Sequence, residues 1–455
     1  MNQEKIGADG QERLLNRRRS EIPSAERVQI LQGKLYQKAK QEREYRFYIL
    51  YDKMCIPYML REAWRRVKAN GGVAGVDGIT IEDIEKRGVE EYLRELGEDL
   101  RKQTYRPKAV RRVMIPKANG GERPLGIPTV RDRIAQTVCK MILEPIFEAD
   151  FESSSYGYRP GKSSKDAIKA TKENLEEGKT EIYEIDLSNY FDTIPHNKLY
   201  IAVRSRIADP RMLKLIDKWL KAPIYEDGKY KGGKKNKVGT PQGGVISPLL
   251  ANIYLHLLDR IVSSKGNLFN RHKTELIRYA DDFVLMGREI PDEVIEKLEQ
   301  YLKRMELKIN RDKTRLINAR EQSFDFLGFT VRYDNDTFGR DKKYWNIIPG
   351  KKAEKKNRDR IDAFLKKHGH SPAQKVAEGL NEILRGWLNY FVIKGVSYPA
   401  MSQRRLRHYL CERLWRYYNR KSQRKSSLFG QQAFEVLVNR YKLIDPTNYS
   451  KLAHL

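Results

Sequence analysis

Cysteine is scarce in this chain: three in 455 residues, Cys55, Cys139 and Cys411, far apart and without a CxxC pair. That excludes a disulfide framework and a zinc ribbon, and it fits reduced thiols in a cytosolic protein. Long apolar runs are also missing. The nearest candidate, Val245 to Val262, is interrupted by Ser247, Pro248, Asn252, His256, Asp259 and Arg260, so neither a membrane span nor a signal peptide is expected. The first twenty residues mix Glu4, Asp9 and Glu12 with Arg13 and Arg17 to Arg19, a poor match to a transit peptide. There is no internal repeat, and the only biased stretches are the lysine-rich 231–237 and 351–356. Acids are short in supply: 60 Asp and Glu face 89 Lys and Arg, a net charge of +29. Such an excess repels itself unless a polyanion neutralises it, and Lys and Arg that meet phosphates bind tightly by releasing counterions. With 40% hydrophobic and 10% aromatic residues, the chain can build roughly three domains. An enzyme acting on nucleic acid fits this better than a ribosomal-type structural protein.

The local patterns are mixed. Val28, Leu31, Leu35 and Tyr36 recur at helical spacing, continued less cleanly by Tyr45, Tyr48 and Leu50, which predicts a partly solvated helical extension from Ser24 to Tyr51. A second helix, Met59 to Asn70, stops at Gly71-Gly72. Val110 to Lys117, a turn at 118–121 and a return from Arg123 to Ile127 read as a β-hairpin, with Pro116 suggesting an edge. Arg131 to Phe147 is helical. Strands are expected at Glu181–Leu187, Leu276–Ala280 and Phe283–Met286, with a helix over Leu249–Val262. From about Lys351 strands vanish, and basic amphipathic helices run to Lys425.

The sharpest chemical signal is Leu276-Ile277-Arg278-Tyr279-Ala280-Asp281-Asp282-Phe283-Val284-Leu285-Met286. Two apolar strands flank adjacent aspartates, which places the acids at or near a hairpin tip. Side-by-side carboxylates repel unless a hard divalent cation neutralises them. A third acid, Asp186, ends the strand Glu181–Ile185. Either segment alone reads as an exposed turn; together, in a basic chain, they read as a metal site of the kind that serves nucleotidyl transfer.

Tyr279-Ala280-Asp281-Asp282, the Asp186 strand and Gly239-Thr240-Pro241-Gln242-Gly243-Gly244-Val245-Ile246-Ser247-Pro248-Leu249 resemble core motifs of reverse transcriptases, those of bacterial group II intron-encoded proteins above all. Gly75-Val76-Asp77-Gly78, Ile115-Pro116-Lys117 with Arg123 to Pro128, Ser155 to Pro160 and Phe326-Leu327-Gly328-Phe329 extend the resemblance over residues 59 to 425. It implies that Asp186, Asp281 and Asp282 are catalytic and hold two Mg²⁺ ions, with Mn²⁺ as a substitute. It further implies that Lys117 and Arg123 grip the triphosphate of the incoming nucleotide, a role that two cations on a β-turn suit. Gln242 would contact nucleotide or template–primer, and Lys313 would assist pyrophosphate departure. Phe191 stands where RNA-dependent RNA polymerases typically carry an Asp; a ring beneath the sugar excludes a 2′-hydroxyl, so deoxynucleotides are the expected substrate.

Asn381 to Phe391 resembles the signature of the maturase, or thumb, domain of the same proteins. Downstream, Leu406, Leu410, Leu414 and Tyr417 form an apolar stripe, while Arg404, Arg405, Arg407, Arg413, Arg416 and Arg420 supply a basic cluster expected to contact nucleic acid. Trp387 and Trp415 read as core rather than base-stacking residues. No paired cysteines and histidines of an HNH endonuclease appear, so the resemblance is to the endonuclease-lacking branch, or to a relative that has left intron mobility.

The expected fold is α/β (α+β), a right-hand polymerase: an N-terminal extension at 1–55, fingers at 56–180, a palm with a small antiparallel sheet at 181–345, a basic helical thumb or maturase domain at 346–425, and a tail at 426–455. The expected function is RNA-directed DNA synthesis from a DNA or RNA primer on an RNA template with dNTPs. Group II intron RNA is the expected partner for splicing and retrohoming, in a bacterial cytoplasm without membrane attachment. Two alternatives are an RNA-folding maturase with secondary polymerase activity, and a domesticated reverse transcriptase in defence or DNA repair.

Overall fold

The computed structural model describes residues 22–116, 121–233, 236–241, 243–336, 341–369, 371–420 and 425–449. Its strands are β1 Val110–Pro116, β2 Glu122–Ile127, β3 Glu181–Ile185, β4 Pro223–Glu226, β5 Lys229–Gly232, β6 Glu275–Tyr279, β7 Asp282–Gly287, β8 Arg315–Asn318, β9 Phe324–Phe326, β10 Phe329–Asn335 and β11 Lys343–Pro349. The described residues fall into two compact units, both assembled from non-contiguous stretches. The first takes Met1–Pro160, Leu187–Ser264 and Glu296–Asn310; the second takes Gly161–Asp186, Lys265–Ile295 and Arg311–Leu455.

The first unit is centred on the helix Val130–Glu148, in which Ile134, Ala135, Val138, Ile142, Leu143 and Ile146 have no exposed surface. A helix buried this fully needs its first N–H groups satisfied. Thr129 Oγ1 accepts the Asp132 N–H, and the Asp132 carboxylate accepts from Thr129 Oγ1 at 2.7 Å, the Lys108 N–H and the Tyr105 hydroxyl. The helices Ser24–Gln41 and Pro57–Asn70 pack against it. The latter ends where Gly71 takes a φ of 63°, as the paired glycines predict.

The N-terminal helix is shorter than the sequence periodicity predicts. It ends at Gln41, and the following residues belong to tertiary contacts instead. Phe47 bridges to Ile207, and the N–H groups of Leu50 and Tyr51 donate to the buried Asp209 carboxylate at 2.9 and 2.8 Å. Asp209 also caps the helix Pro210–Leu220. Burial would raise its carboxyl, but the backbone donors of Tyr51, Leu50, Met212 and Arg211 hold it below the ordinary carboxylate value. Two of those donors, the N–H groups of Leu50 and Tyr51, come from the segment with the weak helical period.

β1 and β2 form the expected hairpin, Arg112 opposite Gly126 and Ile115 opposite Arg123. The sheet order is β2-β1-β4-β5, so β1 is interior rather than an edge. It meets β4 only through Val110 and Arg111, which leaves the Pro116 end of that flank without a ladder for proline to interrupt.

In the second unit β6-β7-β3-β8 form an antiparallel sheet and β11-β10-β9 a smaller one. Phe283, Val284, Leu285 and Met286 are all buried, the continuous apolar run of a strand covered on both faces. After β11 the helices Lys351–Lys367, Ala373–Phe391, Ala400–Tyr418 and Ala433–Tyr441 follow. The first two pack closely at Gly379, where an added Cβ would come within 2.3 Å of the Phe364 ring. Among the described residues no helix is long and apolar enough to cross a membrane.

Candidate active site

Strand register assembles the carboxylates. β3 runs antiparallel to β7 with Ile185 opposite Phe283, so one step along the same ladder sets Asp186 across from Asp282. On its other flank β3 pairs with β8, Glu184 opposite Arg315, and two further steps in that register would set Asp186 across from Lys313. The contacts agree with the ladder: Lys313 Nζ lies 3.2 Å from Asp186 Oδ2, and the Asp186 N–H donates to Thr314 Oγ1 at 3.3 Å. β6 and β7 close with Tyr279 opposite Asp282, leaving Ala280 and Asp281 as a two-residue turn. Asp281 is thus at the tip and Asp282 opens β7, as the sequence suggests.

Ala280 has a φ of 59°. Short hairpin turns require such values because they match strand twist, yet for a residue with a side chain the left-handed region costs about 1–2 kcal/mol. Beneath the turn lies Arg278, a fully buried side chain whose Nη1 donates to the Ala280 carbonyl at 2.9 Å. Sequence reasoning passed over this residue, although one cation inside the apolar strand Leu276 to Tyr279 was a visible signal.

Burial, then the charges of Asp281 and Asp186, push the Asp282 carboxyl up to about 6, against the opposing pull of Lys313. The residue keeps an exposed outer edge, so water screens part of the burial effect; the like-charge repulsion is the share that a cation reverses. The donors are all carboxylate oxygens, the ligand type that hard divalent cations prefer. Among the described residues no group of three or more His, Cys, Asp or Glu side chains is placed to hold a metal ion. The aspartates lie within electrostatic reach of each other, with the Lys313 ammonium on Asp186 as counter-charge.

The other expected nucleotide-binding residues lie elsewhere in the chain. Phe191 belongs to the first unit, in the short helix Tyr190–Thr193, 8% exposed, with its ring 5.6 Å from that of Tyr190 and its carbonyl accepting the Thr240 N–H at 2.7 Å. Tyr190, more deeply buried, spends its hydroxyl on the Ala251 carbonyl. Arg123 stands on β2, exposed. Gly243 approaches the hairpin so closely that a Cβ would lie 2.1 Å from the Gly126 carbonyl oxygen, a contact that only glycine permits. Lys117 and Gln242 lie outside the described residues.

The helix Ala400–Tyr418 divides its arginines. Leu406, Leu410 and Leu414 are buried as expected, but Tyr418 rather than Tyr417 completes the stripe, because steps of four residues lead there. Arg407 is held by Glu435 at 2.7 Å and Asp445 at 3.1 Å, and Arg413 by Asp362 at 2.7 Å. Arg420 donates to the Gly369 carbonyl and lies over the Tyr417 ring. Arg404, Arg405 and Arg416 are exposed, Arg405 at 3.9 Å from Glu354. Trp387 is core, as expected. Trp415 is not: it is 56% exposed, a quarter-turn off the buried stripe, beside a cleft of about 430 Å³ lined also by Arg416 and Phe434.

Two family models match the chain: Reverse transcriptase (RNA-dependent DNA polymerase) over residues 115–331, and Group II intron, maturase-specific domain over residues 354–433. Protein YkfC of Escherichia coli is 38% identical over 336 residues, 65% of this chain and 86% of that protein. Group II intron-encoded protein LtrA of Lactococcus lactis is 37% identical over 258 residues, 56% of this chain and 41% of its own length. A 91 kDa protein in the cob intron of Schizosaccharomyces pombe is 28% identical over 340 residues, 61% of this chain and 40% of that one. The chain thus spans less than half the length of the last two.

Proposed function

Because the chain belongs to the group II intron family of reverse transcriptases and maturases, we propose that it is an RNA-directed DNA polymerase that also binds group II intron RNA. The observation that carries the polymerase reading is the Lys313–Asp186 contact at 3.2 Å beside a β3–β7 register that, continued one step, brings Asp186 across from Asp282, with Asp281 at the adjoining tip. Asp186, Asp281 and Asp282 would hold two Mg²⁺ ions, or Mn²⁺ in their place. Bound there, the cations supply the positive charge that an attacking 3′-hydroxyl and a departing pyrophosphate require. Lys313 leaves Asp186 for the phosphates, Lys117 and Arg123 hold the triphosphate, and Gln242 contacts nucleotide or template–primer. Phe191 discriminates against the 2′-hydroxyl. On this reading residues 56–180 act as fingers, 181–345 as palm and 346–425 as thumb, in a bacterial cytoplasmic setting.

The test is primer extension on an RNA template with Mg²⁺ and either dNTPs or rNTPs. Wild type extends with dNTPs, and Asp281→Asn does not. Phe191→Ala narrows the preference for dNTPs over rNTPs by about ten- to two-hundredfold, the range of a lost steric contact. Equal extension by Asp281→Asn would sink the mechanism.

The match of residues 354–433 to the maturase-specific domain supports the RNA-binding half. Exposed Arg404, Arg405 and Arg416 would follow the phosphate backbone, while Arg407, Arg413 and Arg420 hold the helix in its surroundings and reach RNA only through their outer edges. A splicing assay with an intron RNA, run with wild type and with Asp281→Asn, separates the two roles: splicing persists in the variant while extension is lost.

A further inference from the structure

We propose that Arg278 is a positioning residue for the catalytic turn: its buried guanidinium holds the Ala280 carbonyl and thereby keeps Asp281 and Asp282 poised for divalent cations. The proposal rests on the reading that these aspartates hold the cations. Arg278 has no exposed surface and is among the largest fully buried side chains of the described residues. Apolar side chains would fill strand β6 at less desolvation cost than a buried guanidinium, so its presence calls for a specific task. The task visible is local. Nη1 reaches two residues along its own chain to Ala280 O at 2.9 Å, across the point where the backbone takes a φ of 59°.

Alanine at such a φ drifts toward right-handed or extended values when nothing restrains it. Rotation at Ala280 would swing Asp281 and shift Asp282, the first residue of β7. A charge-assisted hydrogen bond to the carbonyl of that peptide opposes the rotation. Three carboxylates repelling one another add to the force to be resisted, since Asp281 and Asp186 both act on Asp282. On this proposal Arg278 acts through the turn, by the bond of Nη1 to the Ala280 carbonyl.

The test uses the full chain and Mn²⁺ binding read by electron paramagnetic resonance, beside primer extension. Arg278→Lys keeps the charge but loses the guanidinium fork. It is expected to melt cooperatively, bind Mn²⁺ about tenfold more weakly, and require correspondingly more cation for half-maximal extension. Ala280→Gly accepts a positive φ without strain, so adding it to Arg278→Lys should restore most of the lost Mn²⁺ affinity, a recovery that repair of general core packing would not give. Unchanged Mn²⁺ affinity in Arg278→Lys, or no recovery in the double variant, overturns the proposal. If Arg278→Lys does not fold, Arg278→Gln replaces it; failure of both to fold makes Arg278 a core residue and also overturns the proposal. Asp281→Asn is the control for the underlying reading. If it binds Mn²⁺ as wild type does, the metal assignment has failed rather than the role of Arg278.

Discussion

The carboxylate hairpin and the basic helix Ala400–Tyr418 are both charged segments, yet they use their charges in opposite ways. In the hairpin, backbone geometry gathers like charges: the registers of β3 against β7 and β8 set Asp186 between Asp282 and Lys313, and repulsion is left for a cation to relieve. In the helix, opposite charges meet within the chain at a partly exposed surface, with Arg407 and Arg413 already paired to Glu435, Asp445 and Asp362. Concentrated charge of one sign marks a site that needs a partner. A basic cluster mixes such positions with structural ones, and only the contacts sort them.

The sharpest break of this comparison is Asp281→Asn. It should lower the rate of extension by on the order of 10³-fold while leaving RNA affinity within about twofold, measured by extension and filter binding in parallel. A large loss of RNA affinity would mean that the hairpin and the helix are not separable functions.

The next effect lies on the exposed side of the helix. Arg404→Ala with Arg416→Ala should leave the melting temperature unchanged. The slope of log affinity against log salt for RNA should become shallower by up to about 0.7–0.9 per lost phosphate contact. An unchanged slope would remove this face from the RNA-binding surface.

Arg407→Ala and Arg413→Ala should behave in reverse. Each pair is partly exposed, so screening limits the loss to about 0.5–1 kcal/mol of stability, seen as a lower denaturant midpoint, with the salt slope for RNA nearly unchanged. If these two variants lose RNA binding as strongly as Arg404→Ala with Arg416→Ala, the division drawn within the helix is wrong.

The smallest effect is that of pH on the hairpin. Without a cation, burial and then the charges of Asp281 and Asp186 push the Asp282 carboxyl up to about 6, above the value of about 3.9 for an unfolded Asp. The folded state therefore binds more protons between those values, so this group's contribution to stability falls as pH rises from about 4 to about 6 and is level above. Added Mg²⁺ should raise the melting temperature more at pH 7.5 than at pH 5, where protons compete for the carboxylate. An equal rise at both would detach Asp282 from cation binding.

Much of this was legible in the residues. The apolar strands around Asp281 and Asp282, the Asp186 strand, the hairpin Val110–Ile127 and the change to helices after Lys351 all follow from period and turn chemistry, which are local. The misses share one cause. The helix beginning at Ser24 stops at Gln41 because Asp209, about 160 residues away, takes the N–H groups of Leu50 and Tyr51. β1 is interior because β4 reaches its first two residues. Trp415 faces outward because the buried stripe runs in steps of four through Leu414 to Tyr418.

By itself the sequence pointed to a polyanionic partner, and to Asp186, Asp281 and Asp282 as the candidate catalytic acids. Net charge and a motif at a strand end are properties of composition and short range. Only the tertiary structure decided that Lys313 is the counter-charge of Asp186, that Arg278 lies beneath the strained Ala280 turn, and which arginines of the helix are already engaged. Those depend on strand register and on partners distant in the chain, and no local pattern encodes where a long side chain finds its opposite charge.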